Sequence, residues 1–339
     1  MSNIREVAHK AGVSVATVSR VLNNSDSVTS ATKARVQDAI HALNYRPSML
    51  GRNLRNSESR LLLVLIPEIS NPFYFEVIKG IEETALHHYY NILLCETGSD
   101  PIRENIYFDL VTSKMADGII SMDPAVNIDT LTQLAKNHAI IQCSEYETES
   151  GIPYVTIDHE LAAYEAVEHL IQLGHKQIAL INSDKKFLYA RQREKGYLQA
   201  LKDHGITFHE EYVYYTGELG FDHGQRAMQE ILKQSKKPTA IFAVSDLLAI
   251  GALKEIHAQA LHIPHDIAMI GFDKIAFSNM TYPVLSTVEQ PMHTMGSRAA
   301  EMLIQTIHGK DVHNVILPHR LMKRSSTMGN TNEKGEQLI

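Results

Sequence analysis

Two hydrophobic rhythms divide the chain. Over residues 3–43, apolar side chains recur three and four positions apart, the period of an α-helix with one face turned inward. Ile4, Val7, Ala8 and Ala11 form a first stripe. Asn3-Ile4-Arg5-Glu6 stands ahead of it in the pattern of a capping box, and Gly12 is placed to end the helix in the left-handed region. Val15, Val18 and Leu22 form a second stripe that turns Ala16, Thr17 and Arg20 outward, with Ser14 as its N-cap. A third helix is expected from Ser30 to Leu43, facing Val36, Ala39, Ile40 and Leu43 inward. Two short helices joined by a glycine turn make the helix-turn-helix pattern, whose second helix enters the DNA major groove. The same spacing fits an ordinary helical bundle, so the rest of the chain has to decide.

Asn44-Tyr45-Arg46-Pro47 closes this region. Pro47 suits the first position of a short helix over 47–55 that presents Leu50, Leu54, Arg52, Asn53 and Arg55. Such a helix is too short to hold alone, and the natural expectation is a linker that becomes helical on a partner. From residue 61 the rhythm changes. Leu-Leu-Leu-Val-Leu-Ile-Pro is a continuous apolar run of the kind found in strands buried on both faces. Strands are expected at 61–67, 91–96, 118–122, 139–143, 154–157, 177–182, 240–244 and 267–272. Helices are expected at 73–88, 102–114, 128–137, 161–173, 189–204, 223–233 and 247–258. Strand–helix alternation implies parallel sheets with right-handed crossovers, and two such sets imply two doubly wound lobes with a ligand at the carboxyl ends of their strands. Polar residues 329–339 are expected to be a disordered tail.

Composition sharpens this division. The chain has 339 residues, enough for two or three units, and a net charge of −7. Residues 1–60 nevertheless hold nine Lys and Arg against four Asp and Glu. A basic head on an acidic body points to a polyanion met only by the head. Nothing in the sequence resembles a signal peptide or a membrane span, so a cytoplasmic address is expected. Cys95 and Cys143 end apolar runs and read as buried thiols rather than a disulfide. Walker, G-x-G-x-x-G, G-x-S-x-G, H-E-x-x-H and C-x-x-C patterns are absent, which disfavours an enzyme. The eighteen histidines lack ligand spacing and read as solvent-exposed helix residues; no metal and no cofactor are expected.

Asn3-Ile4-Arg5-Glu6-Val7-Ala8, Gly12–Asn23 and Asn44-Tyr45-Arg46-Pro47 together resemble the LacI/GalR family of bacterial transcription regulators. Ile69-Ser70-Asn71-Pro72-Phe73-Tyr74, Asp117-Gly118-Ile119-Ile120, Gly174-His175-Lys176, Ser245-Asp246, Ile270-Gly271-Phe272-Asp273 and Glu289-Gln290-Pro291 extend the resemblance over the whole chain. Residues 51–60 are most similar to the cytidine-repressor branch of the family, although that branch carries valine where this chain has Leu54.

The resemblance implies an all-α helix-turn-helix domain (1–46) and a hinge (47–60). An α/β effector and dimerisation domain of two periplasmic-binding-protein-like lobes (61–328) would follow. It also implies that Val15, Ala16 and Arg20 meet base edges, that Ser14 and Thr17 position the helix on phosphates, and that Asn23 belongs to the same DNA-binding face. Leu54 would wedge into the central base step from the minor groove, with Arg55 beside it. Between the lobes, Phe73, Tyr74, Asp158, Arg193 and Asp273 would bind the effector, and Tyr189 with Phe187 would supply an aromatic face. Carboxylates, a guanidinium and aromatic rings suit a nucleoside or a sugar. The expected molecule is a homodimeric, ligand-controlled repressor on a pseudo-palindromic operator. A solute-binding protein without gene control is the competing class; the basic head argues against it.

Overall fold

The computed structural model describes residues 3–22, 27–45, 58–122 and 128–328, and the chain separates into two compact units, Met1–Ser59 and Arg60–Ile339. The expected short helix over 47–55 and the tail lie outside the described residues.

The first unit contains α1 (Ile4–Ala11), α2 (Val15–Leu22) and α3 (Ser30–Ala42). Asn3 Oδ1 accepts from the N–H groups of Arg5 and Glu6, and its Nδ2 donates to Glu6 Oε1 at 2.8 Å. This closes the α1 N-terminus, as its capping sequence implies. Gly12 follows at φ 61°, which costs a residue without Cβ little, and ends the helix. Val7, Ala8, Ala11, Val18, Val21, Val36 and Ala39 bury together as the core. One expectation fails here. Val15 is 41% exposed, and Val18 and Val21 take the inward face, with Leu22 packed at its margin. Steps of 100° keep 18, 21 and 22 within one arc and carry Val15, in the first turn, to its rim.

The second unit begins with β1 (Leu61–Ile66), α4 (Phe73–His87), β2 (Asn91–Glu96), α5 (Pro101–Thr112), β3 (Gly118–Ser121), α6 (Ile128–Ala135), β4 (Ala139–Cys143) and β5 (Tyr154–Ile157). It continues through α7 (His159–Gln172), β6 (Ile178–Asn182), α8 (Leu188–Asp203), β7 (Val213–Tyr215), α9 (Phe221–Leu232), β8 (Ala240–Ala243), α10 (Asp246–Ala258) and β9 (Ala268–Asp273). After these come β10 (Ser286–Glu289), α11 (Met292–Ile307), β11 (Val315–Leu317), β12 (Arg320–Met322) and α12 (Ser325–Met328). Two six-stranded sheets result, ordered β11-β5-β4-β3-β1-β2 and β12-β10-β9-β8-β6-β7. Every recorded pairing is parallel except β10 with β12. β1 lies inside its sheet and is shut off from solvent from Leu62 to Ile66, as a run of unbroken apolar residues requires.

From β1 to β9 the expected elements are present with ends displaced by one or two residues, apart from the short β7, which the pattern does not reveal. Beyond β9 the sequence reading stops short of β10, α11, β11, β12 and α12. β11 and β12 have three residues each, too few to show a period. Both cysteines are buried and free, as expected.

Three crossings join the lobes. The chain leaves the first sheet after β5, since α7 already packs on the second. It returns between β10 and α11, which lies against α4, β3 and β4. Pro318 and His319 then carry it from β11 back to β12. α4 and α11 touch backbone to backbone. A Cβ on Gly80 would stand 2.1 Å from His293 O, and one on Gly296 would stand 2.0 Å from Val77 O. Parallel order brings the N-termini of α4, α8 and α10 to the carboxyl ends of the strands, where a doubly wound fold binds its ligand.

Candidate nucleic-acid face and interlobe ligand site

On α2 the buried residues are Val18 and Val21, so the opposite side faces solvent. Ala16 and Arg20 are exposed there, and Val15 is exposed at its edge. Thr17 N–H donates to Ser14 Oγ at 3.1 Å, and the two hydroxyls lie 2.9 Å apart. Ser14 therefore caps the helix whose outward side carries a guanidinium and two small apolar side chains, the groups that read guanine and thymine edges. Positive charge in this unit is not all available. Arg35 donates to the carbonyls of Ala11 and Gly12 and so fastens α3 to the end of α1. Asn23, Leu54 and Arg55, expected on the DNA, lie outside the described residues.

In the second unit, Arg193 projects from α8 and is 3% exposed. Its guanidinium carbon lies 3.6 Å from the centroid of Phe272 and 4.9 Å from that of Tyr189. Nη1 donates to Val244 O and lies 3.6 Å from Asp273 Oδ1. Burial pulls the Arg193 pKa down, and Asp273 opposes the shift. Asp273, at the end of β9, has φ 110°, a strained value for a residue with a Cβ. It is held by Gln290 Nε2, which donates to its Oδ1 at 2.7 Å. Burial raises its pKa to about 6 against the pull of Arg193 and Gln290. Asp246 accepts from Thr287 Oγ1 at 2.6 Å and Ile275 N–H at 2.9 Å; burial and then Asp273 raise its pKa.

A chain of hydrogen bonds ties this cluster to the first lobe. Arg193 Nε donates to His159 Nδ1 at 3.4 Å. Burial, reinforced by Arg193, lowers the His159 pKa well below the usual histidine value, so the ring is neutral and Nδ1 is free to accept. The hydrogen then resides on Nε2, 3.4 Å from Thr156 Oγ1, and that hydroxyl donates to Ser144 O at 3.0 Å. A second tie runs from the segment after β4. Glu145 accepts Leu188 N–H and Tyr189 N–H, each at 2.9 Å, and burial raises its pKa to about 7. Tyr146, stacked on Tyr154 at 3.9 Å, accepts from Gln192 Nε2 at 3.1 Å.

The fold therefore brings Tyr189, Arg193 and Asp273 together. Tyr189 also stacks on Phe187 with centroids 5.5 Å apart and shares a 2.8 Å bond with Ser183 Oγ. Arg193 and Asp273, expected to wait for a ligand, already neutralise each other. Asp158 is exposed and caps α7 through Leu161 N–H at 2.9 Å. Phe73 and Tyr74 meet edge to face at 5.3 Å and are buried in the hydrophobic core at the start of α4.

The sequence pattern gives no sign of a role for Glu145 or His159, and Asp246 and Gln290 stand in the family-like motifs without a role. The histidines are also not uniformly solvated: His159 and His169 are buried. The only sequence signal was position, polar residues directly after apolar strands. Gln290 Oε1 is buried without a hydrogen-bond partner among the described residues, an open acceptor beside Asp273. Among the described residues no group of three or more His, Cys, Asp or Glu is placed to hold a metal ion, and no helix is long and apolar enough to cross a membrane.

Comparison with known proteins connects the two units. Residues 3–48 match the family model of bacterial regulatory proteins, lacI family. Residues 59–325 match that of periplasmic binding proteins and sugar binding domain of LacI family. The transcriptional repressor CytR of Escherichia coli K12 is 36% identical over 312 residues, covering 92% of this chain and 91% of that protein. The crystal structure of the Lac repressor dimer bound to operator and an anti-inducer superimposes with a TM-score of 0.87 at 26% identity, covering 96% of this chain and 99% of that one. A LacI family regulator from Enterococcus faecium with bound ribose gives 0.71 at 28%, covering 79% and 98%.

Proposed function

The chain belongs to the LacI family of bacterial regulatory proteins, and from that premise we propose how its two units divide the regulatory task. It is a DNA-binding transcriptional repressor with an effector-binding domain. In our reading α2 enters the major groove. Arg20 reads a guanine, Val15 and Ala16 pack on thymine methyls, and Ser14 and Thr17 fix the helix on phosphates. Asn23, Leu54 and Arg55 complete the DNA contact by family resemblance. Two copies related by a two-fold axis read a pseudo-palindrome, as the dimeric Lac repressor on its operator supports. Acting on DNA, the protein works in the cytoplasm, and its cleft binds a ligand without transforming it.

The effector occupies the cleft around Tyr189, Arg193 and Asp273. The observation that carries this is the buried Arg193, clasped by Asp273 and stacked on Phe272 beside the neutral His159 that ties the lobes. Paired donors and acceptors beside aromatic faces suit a ring with hydroxyls. A nucleoside is favoured by the likeness to CytR, and a sugar by the ribose-bound relative. By family resemblance Asp158, Phe73 and Tyr74 belong to the same site, Asp158 from the exposed start of α7 and the two rings as support from the core at the start of α4. Ligand shifts operator affinity by its differential affinity for two lobe arrangements. Thermal unfolding against nucleosides and sugars tests the reading. A ligand at about 100-fold its Kd adds about 2.7 kcal/mol and raises the midpoint visibly. A response to sugars alone replaces the nucleoside, and no response to either class defeats the reading.

A further inference from the structure

Glu145 has a position its chemistry does not make necessary. It belongs to the first lobe, immediately after β4 and Ser144, yet both of its oxygens serve the second lobe. They accept the N–H groups of Leu188 and Tyr189, the first two residues of the sixteen-residue helix α8. A helix start presents N–H groups that have no partner within the helix, and its peptide dipoles favour an anion there. The residue preceding α8, Phe187, supplies no side-chain cap. A carboxylate reaching across the cleft supplies it instead, at 5% exposure. Its neighbour Tyr146 holds Gln192 on the same helix. Glu145, Asp246 and Asp273 thus place three buried carboxyl groups around the buried guanidinium of Arg193.

We propose that Glu145 determines the charge class of the effector: its carboxyl group occupies both N–H groups of the anion-binding position at the start of α8, so the site between the lobes takes uncharged ligands and refuses phosphorylated or carboxylated ones. This rests on the reading that the effector enters between the lobes. An incoming anion would have to displace the Glu145 side chain from both N–H groups and enter beside two further carboxyl groups. A neutral ligand meets neither obstacle. With the carboxylate gone, the same two N–H groups and the nearby Arg193 form an anion site.

Inorganic phosphate is the probe, added to the full-length protein at constant ionic strength maintained with chloride. Thermal midpoints are compared for native protein, Glu145→Ala and Glu145→Gln. Phosphate binding at the basic N-terminal unit is common to all three and cancels in the comparison. Glu145→Ala is expected to gain a saturable phosphate response at least tenfold tighter than native protein shows, while Glu145→Gln, which still fills the space, stays close to native. Equal phosphate responses in native protein and Glu145→Ala overturn the proposal. So does tight, saturable phosphate binding by native protein in excess of the response of its isotonic chloride control when Arg193→Ala abolishes it, a result that does not depend on how the Glu145 variants fold. Failure of every nucleoside and sugar to bind native protein defeats the interlobe effector site but leaves the phosphate comparison intact, so the two failures are distinguishable.

Discussion

Arg20 and Arg193 carry the same guanidinium into opposite surroundings. On α2, Arg20 projects into solvent from a helix anchored by Val18 and Val21. On α8, Arg193 is sealed between Phe272 and Tyr189 and bonded to Val244, His159 and Asp273. An exposed arginine keeps its donors for a partner and can be removed without disturbing the fold. A buried one is part of the fold first, and any ligand it binds must share it with the residues that hold it. One side chain type is thus open to solvent in one unit and a structural keystone in the other.

That contrast breaks or sharpens at several points. Arg193→Ala leaves Asp273 buried without its ion-pair partner and is expected to cost about 3–5 kcal/mol of unfolding free energy in urea. Arg193→Lys is expected to restore little, lacking the planar fork. A loss below about 1 kcal/mol would show that Arg193 is no keystone.

Next in size is a pH effect. Glu145 rises from an ordinary value of 4.5 to about 7 in the folded protein. Between those values the folded state holds a proton that the unfolded state has released. The stabilisation is therefore complete below about pH 4.5 and is lost as pH rises through 7, an effect of a few kcal/mol. His159 and His169 act in the opposite sense at low pH, because burial lowers their pKa. The informative quantity is thus the difference between native protein and Glu145→Gln, measured by urea unfolding at pH 5 and pH 8. A difference that does not change with pH would show that Glu145 is ionised throughout.

Arg20→Ala is expected to weaken operator binding by about 1–3 kcal/mol, to relax preference at one base pair, and to leave the unfolding free energy nearly unchanged. Equal losses on operator and random DNA would reduce Arg20 to a phosphate contact. Smallest is Ser14→Ala, which removes the cap on α2 and is expected to cost about 1 kcal/mol, read as lower helicity and earlier melting of the N-terminal unit. An unchanged melting curve would assign Ser14 to DNA alone.

Local signals account for what the sequence revealed. Asn3 and Glu6, Gly12 and the apolar run of β1 act within a few residues, and their structures follow from those residues. Arg193 and Asp273 were recognisable as charged residues of a cleft, but their mutual pairing spans eighty positions. Glu145 reaches α8 across forty-four positions and looked like part of a hydrophilic connection. His159 looked like any helix histidine until the fold enclosed it. Helix α11 carries a legible apolar pattern, Met295, Ala299, Met302 and Leu303, beyond the last element expected from the sequence. Val15 shows the remaining limit: a first-turn residue can satisfy the helical period and still lie at its edge.

The two residues between β11 and β12 act as a mechanical restraint. Leu317 and Arg320 end strands in different sheets, and the chain between them spans at most about 11 Å when fully extended. A tether this short, beside two other crossings, forbids the lobes to drift apart. What remains open to the lobes is rotation about these three connections, so a ligand bound between them, as proposed above, would deliver its free energy as torque.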